Sequence, residues 1–90
     1  MGIKVENPDS RLVVNAAKIV ASEAIFSGGW VEVYHSRLEA PTHVLVNTQA
    51  GQPERALVKY TEFVGAGSIF NAITCVAVSR GAAFGATTCP

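Results

Sequence analysis

Three side chains that could exchange protons or hydrogen bonds with a ligand lie close together in the sequence. Glu32 supplies a carboxylate, Tyr34 a phenol and His43 an imidazole, and such groups act as acids, bases and donors in binding and catalytic sites. Three further residues are expected on the same surface: Trp30, Leu45 and Asn47. Aromatic rings beside charged and amide groups are typical of binding pockets and interface cores. These six residues are therefore the candidate binding or interface site.

Two segments of alternating polar and apolar residues predict a β-hairpin that would hold these side chains. Residues 30–37 and 42–48 are rich in β-forming residues and are separated by a short turn. A register that gathers the valines of both strands on one face puts the six candidate residues on the other face. His43 would lie on that second face and His35 on the valine face, so the two histidines could not bind one metal ion.

The segment before this hairpin predicts an amphipathic helix over about residues 10–26. Its polar residues recur at spacings of four, three and four, as expected for one face of a helix with 3.6 residues per turn. They are Arg11, Asn15, Lys18 and Ser22. The turn at residues 7–10 offers a side-chain cap for the first amides, and residues 27–29 offer glycines with positive φ to end the helix.

The rest of the chain leaves alternatives open. Residues 54–64 fit a third antiparallel strand, which we favour, or a helix that begins at Pro53, and residues 69–80 fit a strand or a helix. The expected fold class is α+β, with one N-terminal amphipathic helix packed on a three- or four-stranded antiparallel meander sheet. The alternatives are αβββα and a ferredoxin-like βαββαβ order. Residues 1–90 would form one domain, with an N-terminal segment at 1–9, a glycine-rich tail at 81–90 and no evident internal repeat.

The αβββα alternative resembles the double-stranded RNA-binding domain in its order of elements. In that family the final helix opens with a cluster of lysines, whereas residues 69–72 here are Ile-Phe-Asn-Ala. The only basic residue after them in the sequence is Arg80. Seven basic residues balance seven acidic ones and form no run or stripe. Nucleic acid binding is therefore not expected.

The composition favours association between copies of the chain. Hydrophobic residues make up 49% of the sequence and charged residues only 16%, compared with about 25% charged residues in an average soluble domain. A chain of this length buries only about 60% of its unfolded surface, so a monomer has little margin of stability. We expect a homo-oligomer, most simply a dimer, with Trp30, Tyr34 or Leu45 buried between chains.

The termini and the cysteines indicate a cytoplasmic protein. The first residues lack the apolar stretch of a secretory signal, and the uncharged residues 63–79 are too short and too polar for a membrane span, so no membrane partner is expected. Cys75 and Cys89 lie 14 positions apart without a CxxC or histidine-rich spacing. Two free thiols are expected rather than a zinc site or a disulfide.

No motif in the sequence fixes a reaction, so whether the protein is an enzyme is left open. The glycines at residues 65–68 lack the lysine of a phosphate-binding loop and predict a break with a tight turn instead. No serine lies in a GxSxG frame. We assign no catalytic residue, metal ligand or cofactor. The first hypothesis is a small binding or interaction protein that acts as a homo-oligomer. The second is a compact small-molecule-binding protein or enzyme whose pocket uses Glu32, Tyr34 and His43.

Overall fold

The computed structural model describes residues 2–48, 56–70 and 73–90, and in these residues short strands are wound into a β-solenoid of four coils. Each coil contributes one strand to each of three sheets, A, B and C. Sheet A contains β1 (Ile3–Val5), β4 (Glu23–Ser27), β7 (His43–Asn47) and β10 (Ser68–Phe70). Sheet B contains β2 (Arg11–Asn15), β5 (Trp30–Tyr34), β8 (Ala56–Lys59) and β11 (Thr74–Val76). Sheet C contains β3 (Lys18–Val20), β6 (Arg37–Glu39), β9 (Glu62–Val64), β12 (Val78–Arg80) and β13 (Ala83–Gly85).

Neighbouring coils pair in parallel, so equivalent residues of successive coils lie side by side. In sheet B, Leu12 pairs with Val31 and Val31 pairs with Ala56. The first step spans 19 positions (12 to 31) and the second 25 positions (31 to 56). Repeats of about this length are typical of solenoids. The unequal coil lengths hide this repeat, which the sequence analysis did not detect.

Inward-facing side chains from all three sheets form one continuous core. The residues with a relative exposure of 0% include large aliphatic and aromatic side chains from the second, third and fourth coils. They are Ile25, Val31, Val33, Leu38, Leu45, Val58, Phe63 and Val78. Full burial of one such side chain contributes about 1.5–3 kcal/mol to folding, so this core stabilises the stack of coils.

The expected α+β class and its alternatives are wrong. The described residues form no helix, and therefore none that could cross a membrane. Sheets A and B are wholly parallel, and in the described residues the only antiparallel strand pair is β12 with β13. The antiparallel meander is therefore replaced by a parallel solenoid, in which every strand finds its partner one coil away along the chain.

The amphipathic helix predicted over residues 10–26 is wrong, because this segment forms β2, β3 and most of β4. Its polar stripe has another origin. Arg11 and Asn15 point outward from sheet B, and Lys18 points outward from sheet C after the corner at residues 16–17. Two strands joined by a two-residue corner thus give the spacings of four and three that a helix also gives. Val13 and Val14 between the first two polar residues are β-branched, which favours a strand.

The hairpin predicted between residues 30–37 and 42–48 is also wrong. Both segments contain strands, but β5 belongs to sheet B and β7 to sheet A, and β6 of sheet C lies between them in the chain. Each is paired in parallel, β5 with β2 and β8, and β7 with β4 and β10. Alternation of polar and apolar residues identifies a strand but not its partner.

The second half of the chain is extended in the described residues, but the predicted third antiparallel strand is wrong: residues 54–64 and 69–80 each hold more than one short strand, and these strands pair in parallel with the preceding coil. β8 and β9 lie within residues 54–64, and β10, β11 and β12 lie within or at the start of residues 69–80. Pro53, proposed as a helix start, lies outside the described residues. The break at residues 65–68 is a turn in which Gly65 has a φ of 94°.

The glycines predicted to end a helix have a different role. Gly28 lies in the corner between sheets A and B, and a β-carbon there would lie 2.4 Å from the Glu6 carbonyl oxygen. The Gly28 amide donates a hydrogen bond to the carbonyl of Val5 in the first coil. Glycine is therefore needed for close approach of two coils at this corner, and not for a positive φ.

The corner between sheets B and C places a non-glycine residue in the left-handed backbone region in each coil. These residues are Ala16 (φ 54°), His35 (φ 50°), Tyr60 (φ 52°) and Ala77 (φ 54°). Such a conformation costs roughly 1–2 kcal/mol per residue. The amides at this corner offset the cost because they form backbone hydrogen bonds between neighbouring coils. The His35 amide donates to the Lys59 carbonyl, and the Tyr60 amide donates to the Val76 carbonyl.

The last residues fold back over the fourth coil. The chain reverses at Gly81 (φ 57°), and β13 then pairs antiparallel with β12. Cys89 packs against the core and forms a disulfide with Cys75, with 5.0 Å between the two α-carbons. The expectation of two free thiols is therefore wrong. The reversal that joins the cysteines lies in residues 81–90, whose small side chains carry no clear strand pattern.

Candidate functional site

The outer face of sheet B brings three of the six candidate residues together and adds a fourth side chain. Trp30, Glu32 and Tyr34 project from β5, and Arg11 projects from β2 beside them. The Tyr34 hydroxyl donates a hydrogen bond to Glu32 Oε1 at 3.0 Å. Arg11 Nε lies 3.9 Å from Glu32 Oε2, and the guanidinium carbon lies 5.7 Å from the centroid of the Trp30 ring. The four side chains therefore form one connected cluster, the sheet B cluster.

The electrostatics of this cluster centre on Glu32. The hydrogen bond that Tyr34 donates to the Glu32 carboxylate raises the pKa of the Tyr34 phenol above its ordinary value of 10.0. Partial desolvation and the negative charge of Glu32 act in the same direction, and the positive charge of Arg11 opposes them. Tyr34 therefore stays a neutral donor at physiological pH, and the cluster is suited to holding a partner by hydrogen bonds and ring contacts.

The other three candidate residues lie elsewhere, on β7 in sheet A. The His43 Nδ1 atom lies 2.8 Å from the Ser68 hydroxyl oxygen. Leu45 and Asn47 have a relative exposure of 0% and belong to the interior. Neither of these two can therefore touch a partner, and the pocket of Glu32, Tyr34 and His43 is not assembled on one surface.

Next to the sheet B cluster is an end of the solenoid that the sequence analysis missed. Among the described residues, β1 pairs only with β4, β2 only with β5 and β3 only with β6. One side of each of these three strands therefore has no neighbouring strand in that part of the chain. We call this surface the open end. Strand edges of this kind present backbone donors and acceptors that pair readily with another chain.

Apolar side chains reach the surface at the open end. Leu12 is partly exposed, whereas Val31, its neighbour in the next coil, has an exposure of 0%. Ile19 is likewise partly exposed, and its neighbour Leu38 has an exposure of 0%. The first coil thus carries core residues that lack the covering layer which the second coil has.

The opposite end of the solenoid is partly covered by the chain itself. There β13 pairs with β12, whereas β10 and β11 each have one partner strand among the described residues. Cys75 and Val78 of the fourth coil have an exposure of 0%, because the tail and its disulfide cover them. Arg80 strengthens this covering, since its guanidinium lies over the Phe63 ring, with 5.4 Å between the guanidinium carbon and the ring centroid. The same side chain donates hydrogen bonds to the carbonyls of residues 65, 67 and 90. The two ends therefore differ in their capacity to associate.

Each strand of the open end carries one cation on its outer face. Lys4 of β1 forms an ion pair with Glu6 at 2.9 Å, and Arg11 of β2 lies beside Glu32. Lys18 of β3 is exposed and neighbours Arg37 of the next coil in the strand register. Charged residues on edge strands limit uncontrolled aggregation, so they restrict which partners the open end accepts.

Comparisons with known proteins add no candidate for this surface. No family model, curated protein or solved structure matches the chain. The function is therefore argued from the open end and the sheet B cluster. One sequence signal could have located the open end: three short β-branched segments near the N-terminus, each with a single cation, are Ile3–Val5, Arg11–Asn15 and Lys18–Val20.

Proposed function

We propose that the protein is a small binding protein that acts as a homodimer, joined through the open ends of two solenoids. The observation that carries the proposal is that all three strands of the first coil are edge strands in the described residues and have partly exposed core residues beneath them, whereas at the opposite end β12 is covered by β13. The sheet B cluster lies at the rim of this interface because Arg11 belongs to the edge strand β2.

A second copy is the partner that fits the open end best. A two-fold axis through the middle of sheet B would pair β2 with the partner's β2, and β1 with the partner's β3. The strand lengths match in this arrangement, since β2 has five residues and β1 and β3 each have three. Leu12 would then be covered by the partner's β2, and Ile19 by the partner's β1.

The same geometry limits the assembly to two copies. A contact between two open ends uses the same patch on both protomers, so it closes and leaves no open end to extend. Growth from the other end is opposed by the tail and by the Cys75–Cys89 disulfide. The proposal is therefore a closed dimer and not a filament.

The proposal also concerns the cellular compartment in which the protein works. The sequence led us to expect the cytoplasm, where thiols are kept reduced. The Cys75–Cys89 disulfide supports an oxidising compartment instead, because it helps to hold the tail that closes the fourth coil. We therefore propose that the protein works where this bond stays oxidised.

Sedimentation equilibrium of the wild type and two matched variants tests the homodimer. Leu12→Lys puts a charge in the open end, and Phe84→Lys puts the same charge on a side chain that is 67% exposed on β13. Burying two unpaired ammonium groups should weaken dimerisation at least about tenfold in Leu12→Lys, and Phe84→Lys should associate like the wild type. A monomeric wild type, or equal association of both variants, contradicts the proposal.

A further inference from the structure

A column of side chains runs along the corner between sheets B and C, and two of its members are stacked rings. The column consists of Ala16, His35, Tyr60 and Ala77, one residue from each coil. The His35 and Tyr60 rings lie 5.2 Å apart between centroids, with an angle of 14° between their planes. The first and last positions of the column carry only a methyl group, so the rings occupy its two middle positions.

A shallow cleft runs along this corner from the second coil to the last position of the column. It has a volume of about 490 Å³, within the range of about 300–1,000 Å³ found for small-ligand sites. Tyr60 and Ala77 line it, and Tyr60 is 55% exposed. Because His35 lies on one face of the Tyr60 ring and Ala77 fills little of the next position, the other face of the ring borders the cleft.

Some polar groups of the cleft already form hydrogen bonds within the protein, and others could form hydrogen bonds with a ligand. The Ser36 hydroxyl donates to the Tyr34 carbonyl, and the Thr61 hydroxyl donates to the Lys59 carbonyl. Both oxygens also accept hydrogen bonds from backbone amides of neighbouring coils. These two hydroxyls therefore hold the corner together and have little capacity left for a ligand.

Glu62 and Ser79 add further polar atoms to the cleft lining, beside the His35 imidazole and the Tyr60 hydroxyl. Glu62 lies 3.6 Å from Arg37 through one carboxylate oxygen, is half exposed, and keeps lone pairs to accept hydrogen bonds. Ser79 is the neighbour of Glu62 in the next coil and adds a hydroxyl that donates and accepts. A ligand in the cleft is thus offered one aromatic face and hydrogen-bonding groups beside it.

We infer that this cleft binds the ring of a neutral sugar, stacked on Tyr60 in the position above Ala77. A pyranose ring has a face of C–H groups that packs on the negative face of an aromatic ring, and hydroxyls at its edge that donate to a carboxylate. Glu62 accepts such bonds, and Ser79 can donate or accept them.

Charge disfavours an anionic ligand in the cleft. A phosphate or carboxylate would face Glu62, and Arg37 is shared between Glu39 and Glu62 at 3.9 and 3.6 Å. A purely apolar ring would leave Glu62 desolvated without a hydrogen bond. The site is independent of the open end, since it lies on the second, third and fourth coils.

Two tyrosine substitutions at the ends of the column test this inference. Ala77→Tyr places a ring in the position assigned to the sugar, and the equivalent positions in the middle coils already hold rings with nearly the same φ. Ala16→Tyr makes the same change at the other end of the column, where φ is also 54° and the cleft does not extend. Both variants should fold, which far-UV circular dichroism and thermal unfolding check.

The probes are neutral glucose and galactose oligosaccharides of two to six rings. They are added to the protein in whichever oligomeric state it is purified, and NMR follows the signals of the protein. Saturable shifts of the Tyr60 ring and Ala77 amide signals are expected for the wild type and Ala16→Tyr, with complete loss in Ala77→Tyr. The absence of saturable binding by every sugar overturns the inference. So does unchanged binding by Ala77→Tyr, or tighter binding of inorganic phosphate or tetramethylammonium at the same signals.

Discussion

Leu12 and Val31 occupy the same position in neighbouring strands of sheet B, yet Val31 is completely buried and Leu12 is partly exposed. Among the described residues, Val31 has a neighbouring strand on both sides and Leu12 on one side, which accounts for the difference. Partly exposed apolar side chains beside unpaired strand edges can be covered by the strands of another chain. This relationship underlies the proposed homodimer.

Salt should tighten the dimer. Pairing of β1 with the partner's β3 brings Lys4 near the partner's Lys18, and like charges at a strand pair are unfavourable. Raising the NaCl concentration from about 0.1 M to about 1 M shortens the screening length from about 10 Å to about 3 Å and weakens this repulsion. Sedimentation equilibrium at both concentrations measures the change.

Lys18→Gln is the control for this salt effect. It removes one charge of each repelling pair, so it should dimerise more tightly than the wild type at about 0.1 M NaCl and respond less to added salt. Dissociation of the wild type by salt would mean that opposite charges join the copies, which contradicts the strand pairing proposed here.

Reduction of the Cys75–Cys89 disulfide should lower the free energy of unfolding by about 3 kcal/mol. The bond closes a loop with a sequence separation of 14, and the chain-entropy estimate for a loop of this size is about 3 kcal/mol. Urea unfolding with and without a reducing agent measures the loss. Cys89→Ser, which has no disulfide in either condition, should not respond to the reducing agent, and an unchanged wild type would show that the tail is held by other contacts.

Phe63→Ala should destabilise the protein by about 3–5 kcal/mol, because it removes the largest completely buried side chain. Phe63 packs in the third coil between Leu38 and Arg80 in the strand register. Phe84→Ala removes the same ring from a side chain that is 67% exposed, and it should change stability by less than about 1 kcal/mol. Chemical denaturation compares the two, and equal losses would contradict the core described here.

Glu32→Gln should lower the pKa of Tyr34, because the carboxylate that raises it becomes a neutral amide. Ultraviolet absorption titration in a Tyr60→Phe background isolates Tyr34, since the chain has two tyrosines. A raised pKa in the folded state gives stability that is present below about pH 10 and is lost as the pH rises through the folded value. Glu32→Gln should therefore lose less stability over that alkaline range, and an unchanged titration would mean that the hydrogen bond is absent in solution.

Part of this structure follows from local sequence. Residues 30–37, 42–48 and 54–64 were predicted as extended from their β-branched and aromatic residues, and strands lie within each described part of them. The turn at residues 65–68 was predicted from its glycines. These features depend on neighbouring residues, which a single sequence displays directly.

The pairing of the strands could not be obtained in the same way. The partners of β5 lie 19 residues away in one direction and 25 in the other, so no fixed period shows in the sequence. The polar residues at 11, 15 and 18 fit a helix face as well as two strands joined at a corner. The alternating pattern therefore places Trp30, Glu32 and Tyr34 correctly on one face of a strand. The predicted pairing of this strand with β7 is wrong, because β7 belongs to another sheet.

Cross-linking through a single introduced cysteine tests the homodimer most directly. Val13 is 54% exposed at the centre of β2, and in an antiparallel pair of β2 strands the side chains of opposite residues approach within about 4.5–5.5 Å. Val13→Cys should therefore form a disulfide-linked dimer under mild oxidation, seen on a non-reducing gel. Phe84→Cys, at a position that is 67% exposed on β13 at the opposite end, should remain monomeric on the same gel. Equal cross-linking of both variants, or none in Val13→Cys, would contradict the association of two open ends.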